Sequence, residues 1–323
     1  MAPCPHDAVH RPQDGPRAWR TMRPRMNPGF LYCTLAFAMW GTFPLYFRAL
    51  GAVPASEMVL HRCVWSVVFL LGILALRRHW AWLGEVAREP RRILVFAGSA
   101  ALLLGNWFVY VYAVQNGHVV EASLGYFVNP LLNVMLGVLV LHERLRRPQW
   151  AAVALAAAGV LWLTWQTGRL PWIALVLAGT FAIYGLIRKT ASLGALEGLT
   201  IENLVVAPIV VPALIFWTAS GHGALASGDT GLVGLLVLAG PLTALPLLLF
   251  AAGARRLPLA TVGLLQYLSP SLQLVLGIWV FHEPFDGARL VGFACIWAGL
   301  AIYSFDALLR SRAGAASVTP APG

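Results

Sequence analysis

A chain of 323 residues that is 59% hydrophobic and only 11% charged lies far from the soluble norm, in which about a quarter of residues are charged. Its net charge of +10 does not mark a nucleic-acid surface, because 22 of the 23 basic residues are Arg set in short runs between apolar segments. Cys4, Cys33, Cys63 and Cys295 are scattered without metal or redox spacing, which points away from a zinc site, a metal cofactor or a disulfide framework.

Residues 1–28 are rich in Pro and Arg and hold no apolar run, so they predict a disordered cytoplasmic tail, as does the Ala/Pro/Ser end at 309–323. The first apolar run is too long for a signal-peptide core of about 7–15 residues and is taken as a retained span. Spans need about 20 mostly apolar residues, and the Arg-rich or turn-rich breaks leave ten. They are placed at 29–50, 56–76, 93–114, 119–141, 149–166, 171–187, 196–218, 231–253, 259–281 and 288–308. Trp80 and Trp82, after the second, read as interfacial anchors. Arg and Lys accumulate on the cytoplasmic side, and 19 of the 23 fall in the tails and in one alternating set of loops, against Arg169 and Arg289 in the other set. Arg48 and Arg62 fall within or at the end of spans. This pattern predicts a multi-pass membrane protein with both termini cytoplasmic.

Asn129 to Glu143 aligns without gaps with Ser269 to Glu283, pairing Pro130 with Pro270, Gly137 with Gly277 and His142 with His282; the same offset pairs Gly159 with Gly299. Five spans per copy is odd, so the second copy enters the membrane from the opposite side. The expected architecture is an all-α integral membrane protein of about ten transmembrane helices in two inverted five-helix repeats, 29–166 and 171–308. Such repeats point to alternating access around a mid-membrane site, although a duplication kept for packing alone gives the same pattern.

Charged groups inside a span cost about 2.5–3.5 kcal/mol on insertion scales and ask for a partner, a wet cavity or a function. The second span carries Glu57, His61 and Arg62, with Glu57 and His61 on one face, and the seventh carries Glu202 at the position equivalent to Arg62. An Arg62–Glu202 pair is expected across the pseudo-axis, either as a static register lock or as a coupling pair, with Glu57 and His61 as further coupling candidates. In the fourth span Glu121, Tyr126, Asn129 and Asn133 surround Pro130, and in the ninth Gln266, Tyr267, Ser269 and Gln273 surround Pro270. Proline frees backbone carbonyls, which membranes tolerate where they line a cavity. Asn129, Asn133, Tyr126, Gln266, Tyr267 and Gln273, completed by Asn106 and Tyr184, are therefore the candidate substrate site. Interhelical hydrogen bonding is the plainer reading of each amide. Ala152, Ala156 and Gly159 in the fifth span, and Gly292 and Gly299 in the tenth, suit close packing or a dimer surface, so a second copy of the chain joins a small-molecule substrate and the bilayer among the candidate partners.

Ala38-Met-Trp-Gly41, Ser56-Glu-Met-Val-Leu-His-Arg62, Gly105-Asn-Trp107, Glu121-Ala-Ser-Leu-Gly-Tyr-Phe-Val-Asn-Pro130, His142-Glu-Arg-Leu-Arg-Arg147, Tyr184-Gly-Leu-Ile-Arg188 and Leu265-Gln-Tyr-Leu-Ser-Pro270 occur in order over about 30–308. In these motifs the chain resembles the RarD group in the EamA family of the drug/metabolite transporter superfamily. The resemblance implies an inner-membrane permease linked by name to chloramphenicol sensitivity. The Arg/Pro-rich leader departs from it.

No HExxH, Gly-Lys-Ser/Thr phosphate loop or acidic metal cluster occurs, so neither catalytic nor metal residues are expected and an embedded enzyme is disfavoured. A secondary carrier without cofactors is the favoured reading. A channel or a scaffold that transports nothing is the alternative.

Overall fold

The computed structural model describes residues 27–51, 53–78, 80–116, 118–166, 172–221, 223–282 and 287–316. The expected N-terminal tail lies outside the described residues apart from 27–28, whereas residues 309–316 of the expected C-terminal tail continue a helix and only 317–323 lie outside; Arg169, Glu283 and Asp286 and the side chains of Glu121 and Arg289 are outside as well. The described chain is helical because apolar runs of this length can satisfy their backbone groups only within themselves. The helices are α1 (Pro28–Leu50), α2 (Ala55–Arg77), α3 (Ala81–Ala87), α4 (Pro90–Gln115), α5 (Val119–Leu139), α6 (Arg147–Trp165), α7 (Trp172–Thr190), α8 (Ala195–Ala219), α9 (Thr230–Ala254), α10 (Leu259–Gln266), α11 (Leu268–Trp279) and α12 (Gly287–Ala316). Among the described residues nine stretches are long and apolar enough to cross a membrane, α10 and α11 counting as one, and Leu290–Asp306 in α12 is a shorter apolar stretch.

Local chemistry sets the ends. Asn27 accepts from Gly29 N ahead of Pro28 at the first turn of α1, and Asp229 accepts from Gly231 N and Leu232 N to start α9, each satisfying donors that a helix start leaves free. The sequence reading missed α3. This short helix buries Trp82 and Val86 against Leu74, Phe96 and Ile201. Trp82 is thus a core residue rather than an interfacial anchor, while Trp80 stays 40% exposed. The ninth span is broken at Tyr267, the junction of α10 and α11. Pro270 has no N–H for the Gln266 carbonyl one turn earlier.

Packing follows the expected repeat. With α1, α2, α4, α5 and α6 matched to α7, α8, α9, α10–α11 and α12, the most extensive contacts have exchanged counterparts: α5 on α7 with α1 on α11, α1 on α9 with α4 on α7, and α2 on α9 with α4 on α8. Three contacts, α2–α8, α5–α10 and α6–α12, map onto themselves. The turns agree in detail, since His142 and His282 both have φ 53°, and Leu141 N and Phe281 N bond to Leu136 O and Leu276 O. The small residues of α6 and α12 are used inside the chain: a Cβ on Gly159 would meet Gly292 O at 2.6 Å, and one on Gly299 would meet Ala152 O at the same distance. Backbones that close pack well without any hydrophobic drive, so this seam is intramolecular rather than a dimer face.

Candidate functional site

A cavity of about 570 Å³ runs into the bundle between α1, α2, α4, α5, α7 and the broken α10–α11. Its mouth holds Phe47 and Arg48 at the end of α1, Phe281 after α11 and Ser123 at the start of α5. Its depth reaches Phe37, Asn129, Leu247 and Gln266 near mid-span. It therefore opens towards the end of the bundle where α1 finishes. An aromatic cluster backs the floor: Trp40 meets Phe37 at 5.8 Å and Phe181 at 5.8 Å, and Phe250 stacks on Tyr184 at 6.2 Å.

Of the residues expected to form the site, Asn106, Tyr126, Asn129, Gln266 and Gln273 line this cavity. Most also make interhelical bonds. Asn106 Nδ2 donates to Leu177 O and Thr180 Oγ1, Asn129 Nδ2 to Ala178 O, and Gln273 Nε2 to Trp40 O. Asn133, Tyr184 and Tyr267 do not line it. Asn133 lies one turn beyond Asn129 and donates to Asn129 Oδ1 (3.0 Å) and Gln266 Oε1 (2.9 Å), tying α5 to α10. Tyr184 turns towards Glu202, its hydroxyl 3.4 Å from Oε2, and Tyr267 donates to Phe127 O at 3.2 Å on the α5 side. All three make interhelical contacts away from the cavity lining.

The expected Arg62–Glu202 pair does not form. Arg62 is on the cavity wall, where Nε donates to Thr243 Oγ1 (2.9 Å) and the guanidinium lies 4.8 Å over Trp107 and 5.8 Å over Phe43. Glu202 faces α4 and α7 instead, bonded to Ser99 and paired with Arg188 at 3.5 Å. The reason is rotational: equal repeat positions on crossing helices need not point at each other, and α7 brings an Arg within reach first. Sequence reasoning treated Arg188 as a loop charge, although its spacing of four from Tyr184 puts both on one helical face. It is 1% exposed, bonds to Ala195 O at 2.9 Å and packs over Phe96 at 5.6 Å. Glu57 and His61 are 3.6 Å apart and buried, with Glu57 Oε1 accepting from Ala224 N (2.6 Å) in the α8–α9 connection and Trp65 Nε1 donating to His61 Nδ1 (3.2 Å).

The end opposite the mouth is closed by polar ties that the sequence did not reveal. Glu143 accepts from Leu259 N (2.6 Å) and Ala260 N (3.0 Å), capping α10. Lys189 lies 3.8 Å from Glu143 and donates to Ala254 O (3.3 Å) and Leu257 O. The anion thus meets a helix N-terminus and the cation a helix C-terminus, each where the backbone dipoles favour it. Arg255 donates to Ala191 O and Leu193 O.

A helical membrane bundle with a central cavity open at one end and closed by ties at the other has the form of a membrane transporter. The chain belongs to the EamA-like transporter family, whose match covers residues 27–165. It is 48% identical to an uncharacterized transporter of Pseudomonas aeruginosa, over 87% of this chain and 95% of that one. It is 46% identical to the protein RarD of Streptomyces exfoliatus, over 88% of this chain and 90% of that one. The fold is shared with a protein of known crystal structure that is 20% identical, with a TM-score of 0.66 over 85% of this chain and 97% of the other.

Proposed function

We propose that the chain is a secondary carrier that moves a small organic molecule across the inner membrane by alternating access between the halves 29–166 and 171–308. The observation that carries this reading is the one-ended cavity: central, open where α1 finishes, and closed beneath by Glu143, Lys189 and the α9–α10 turn. The Arg and Lys pattern supports cytoplasmic chain termini and a cytoplasmic closed end, and with them an outward-open conformation. Asn106, Tyr126, Asn129, Gln266 and Gln273 contact the substrate, while Asn133, Tyr184 and Tyr267 hold them in place. Transport to the other side requires the ties at the closed end to part while the mouth residues meet, as expected when two pseudo-symmetric halves exchange conformations.

Glu202 with Arg188, and Glu57 with His61, are the coupling candidates, since each is a buried titratable group off the cavity and on an element that must move. Arg62 serves the substrate rather than Glu202.

Purified protein in liposomes tests the reading by counterflow with a panel of labelled small organic compounds. A carrier gives saturable exchange and transient accumulation against the label's gradient. A channel gives flux without counterflow and a scaffold gives neither, and either result overturns the proposal.

A further inference from the structure

The cavity's charge is one-sided. Arg62 and Arg48 line it, and among the described residues no Asp or Glu does. Arg62 lies well within α2, between His61 and Cys63, which are both buried, so its charge is a standing cost unless an anion or water meets it. Among the described residues its guanidinium has one hydrogen bond, from Nε to Thr243, and no ion pair. The carboxylates nearest in role are engaged elsewhere: Glu202 with Arg188, Glu57 with His61 and the Ala224 amide, Glu143 with α10. Trp107 and Phe43 support the guanidinium at 4.8 and 5.8 Å. A cation stacked on rings is held in orientation while its terminal N–H fork remains free for a planar anion.

We propose that the cargo is an organic anion, specifically a carboxylate on a flat and mainly apolar body, with the carboxylate on Arg62 and the body against Trp40, Phe181 and Tyr126. The proposal rests on the carrier reading for its physiological meaning, but the binding site stands by itself. A guanidinium meets a carboxylate through two parallel N–H bonds, a geometry that selects it over a neutral amide. The aromatic walls contribute area and ring contacts without demanding further polar groups, as in other largely apolar pockets with a few polar anchors. The cavity's size, about 570 Å³, suits one ring system with its side chain. Arg48, on the mouth over Phe281 at 5.2 Å, adds a second positive charge along the entry path.

The test uses the full chain in lipid nanodiscs and three matched pairs: benzoate with benzamide, phenylacetate with phenylacetamide, and indole-3-acetate with indole-3-acetamide. Binding is read directly by calorimetry, together with acetate as a carboxylate that lacks the body. At least one aromatic carboxylate is expected to bind about tenfold or more tightly than its amide and than acetate, as the loss of a charge-assisted bond implies. Arg62→Gln should abolish that preference and Arg62→Lys should retain part of it. If Arg62→Gln does not fold, the wild-type pairs still decide. Equal affinity of acid and amide in all three pairs, no binding of any probe, or unchanged carboxylate binding by a folded Arg62→Gln variant overturns the proposal. Counterflow of an amide with no preference for its acid would sink the anion site and leave the carrier. Carboxylate binding through Arg62 without any counterflow would sink the carrier and leave the anion site.

Discussion

On the proposed carrier cycle, replacing Glu143 by Ala should shift the protein from the state open where α1 finishes towards one open at the opposite end. The side chain makes two short bonds to the first amides of α10, at 2.6 and 3.0 Å, and is 3.8 Å from Lys189. Hydrogen bonds to a charged group contribute about 1.5–3 kcal/mol each. Glu143 and Lys189 are 16% and 19% exposed, so the Lys189 pair adds little, as pairs in contact with water do. Allowing for a water that replaces part of the cap, a net loss of about 2–3 kcal/mol is reasonable, which is about 30- to 150-fold in the ratio of the two states. Cys33 reports this opening, because it is fully buried on α1 against Gly253 of α9. In a background with Cys4, Cys63 and Cys295 replaced by Ser, maleimide labelling of Cys33 in inside-out vesicles should accelerate at least tenfold in Glu143→Ala. Lys189→Ala should do the same to a smaller degree. An unchanged labelling rate with the protein still folded would refute the view that this cap holds the end closed.

Three further outcomes follow from single contacts. Arg188→Ala leaves Glu202 buried without its cation, which costs about 3–5 kcal/mol for an internal pair; the melting temperature should fall sharply, and Glu202→Gln in addition should restore much of it, whereas additive losses would show that the pair is not coupled. Gly159→Leu forces side-chain atoms into the Gly292 backbone across the α6–α12 seam, so expression and thermal stability should drop while a leucine at Gly179, with open space around it, is tolerated; equal effects would contradict the packing described. A cysteine placed at Leu145 should react from the cytoplasmic side only and one at Pro284 from the outside only, and the reverse for either would overturn the inverted topology.

The spans were legible because twenty apolar residues in lipid have one solution, and because Arg-rich breaks such as Arg144–Arg147 mark where they end. The repeat was legible because Pro130 with Pro270 and His142 with His282 keep one spacing, and the matching φ values show why the histidines recur at a turn of one shape. Facing was much less legible. α9 carries no charged residue and is apolar nearly all round, so no polar stripe tells which side meets protein. Asn129 and Asn133 share a helical face, yet only the first reaches the cavity, because Gly185 and Gly263 bring α7 and α10 against the second. Arg188 looked like a loop charge beside Lys189 until α8 supplied Glu202. The cap from Glu143 to α10 joins residues more than a hundred positions apart, and nothing local announces it.

Alternation itself is tested most directly by two inter-spin distances, measured in liposomes with and without a bound probe. One pair of labels, at exposed Arg144 and Ser192, spans the closed end, and the other, at exposed Asn116 and His282, spans the mouth. The carrier account predicts two distances for each pair, with their populations shifting in opposite directions, so that the mouth shortens as the closed end lengthens. One unchanging distance for each pair, or both ends widening together, would contradict it.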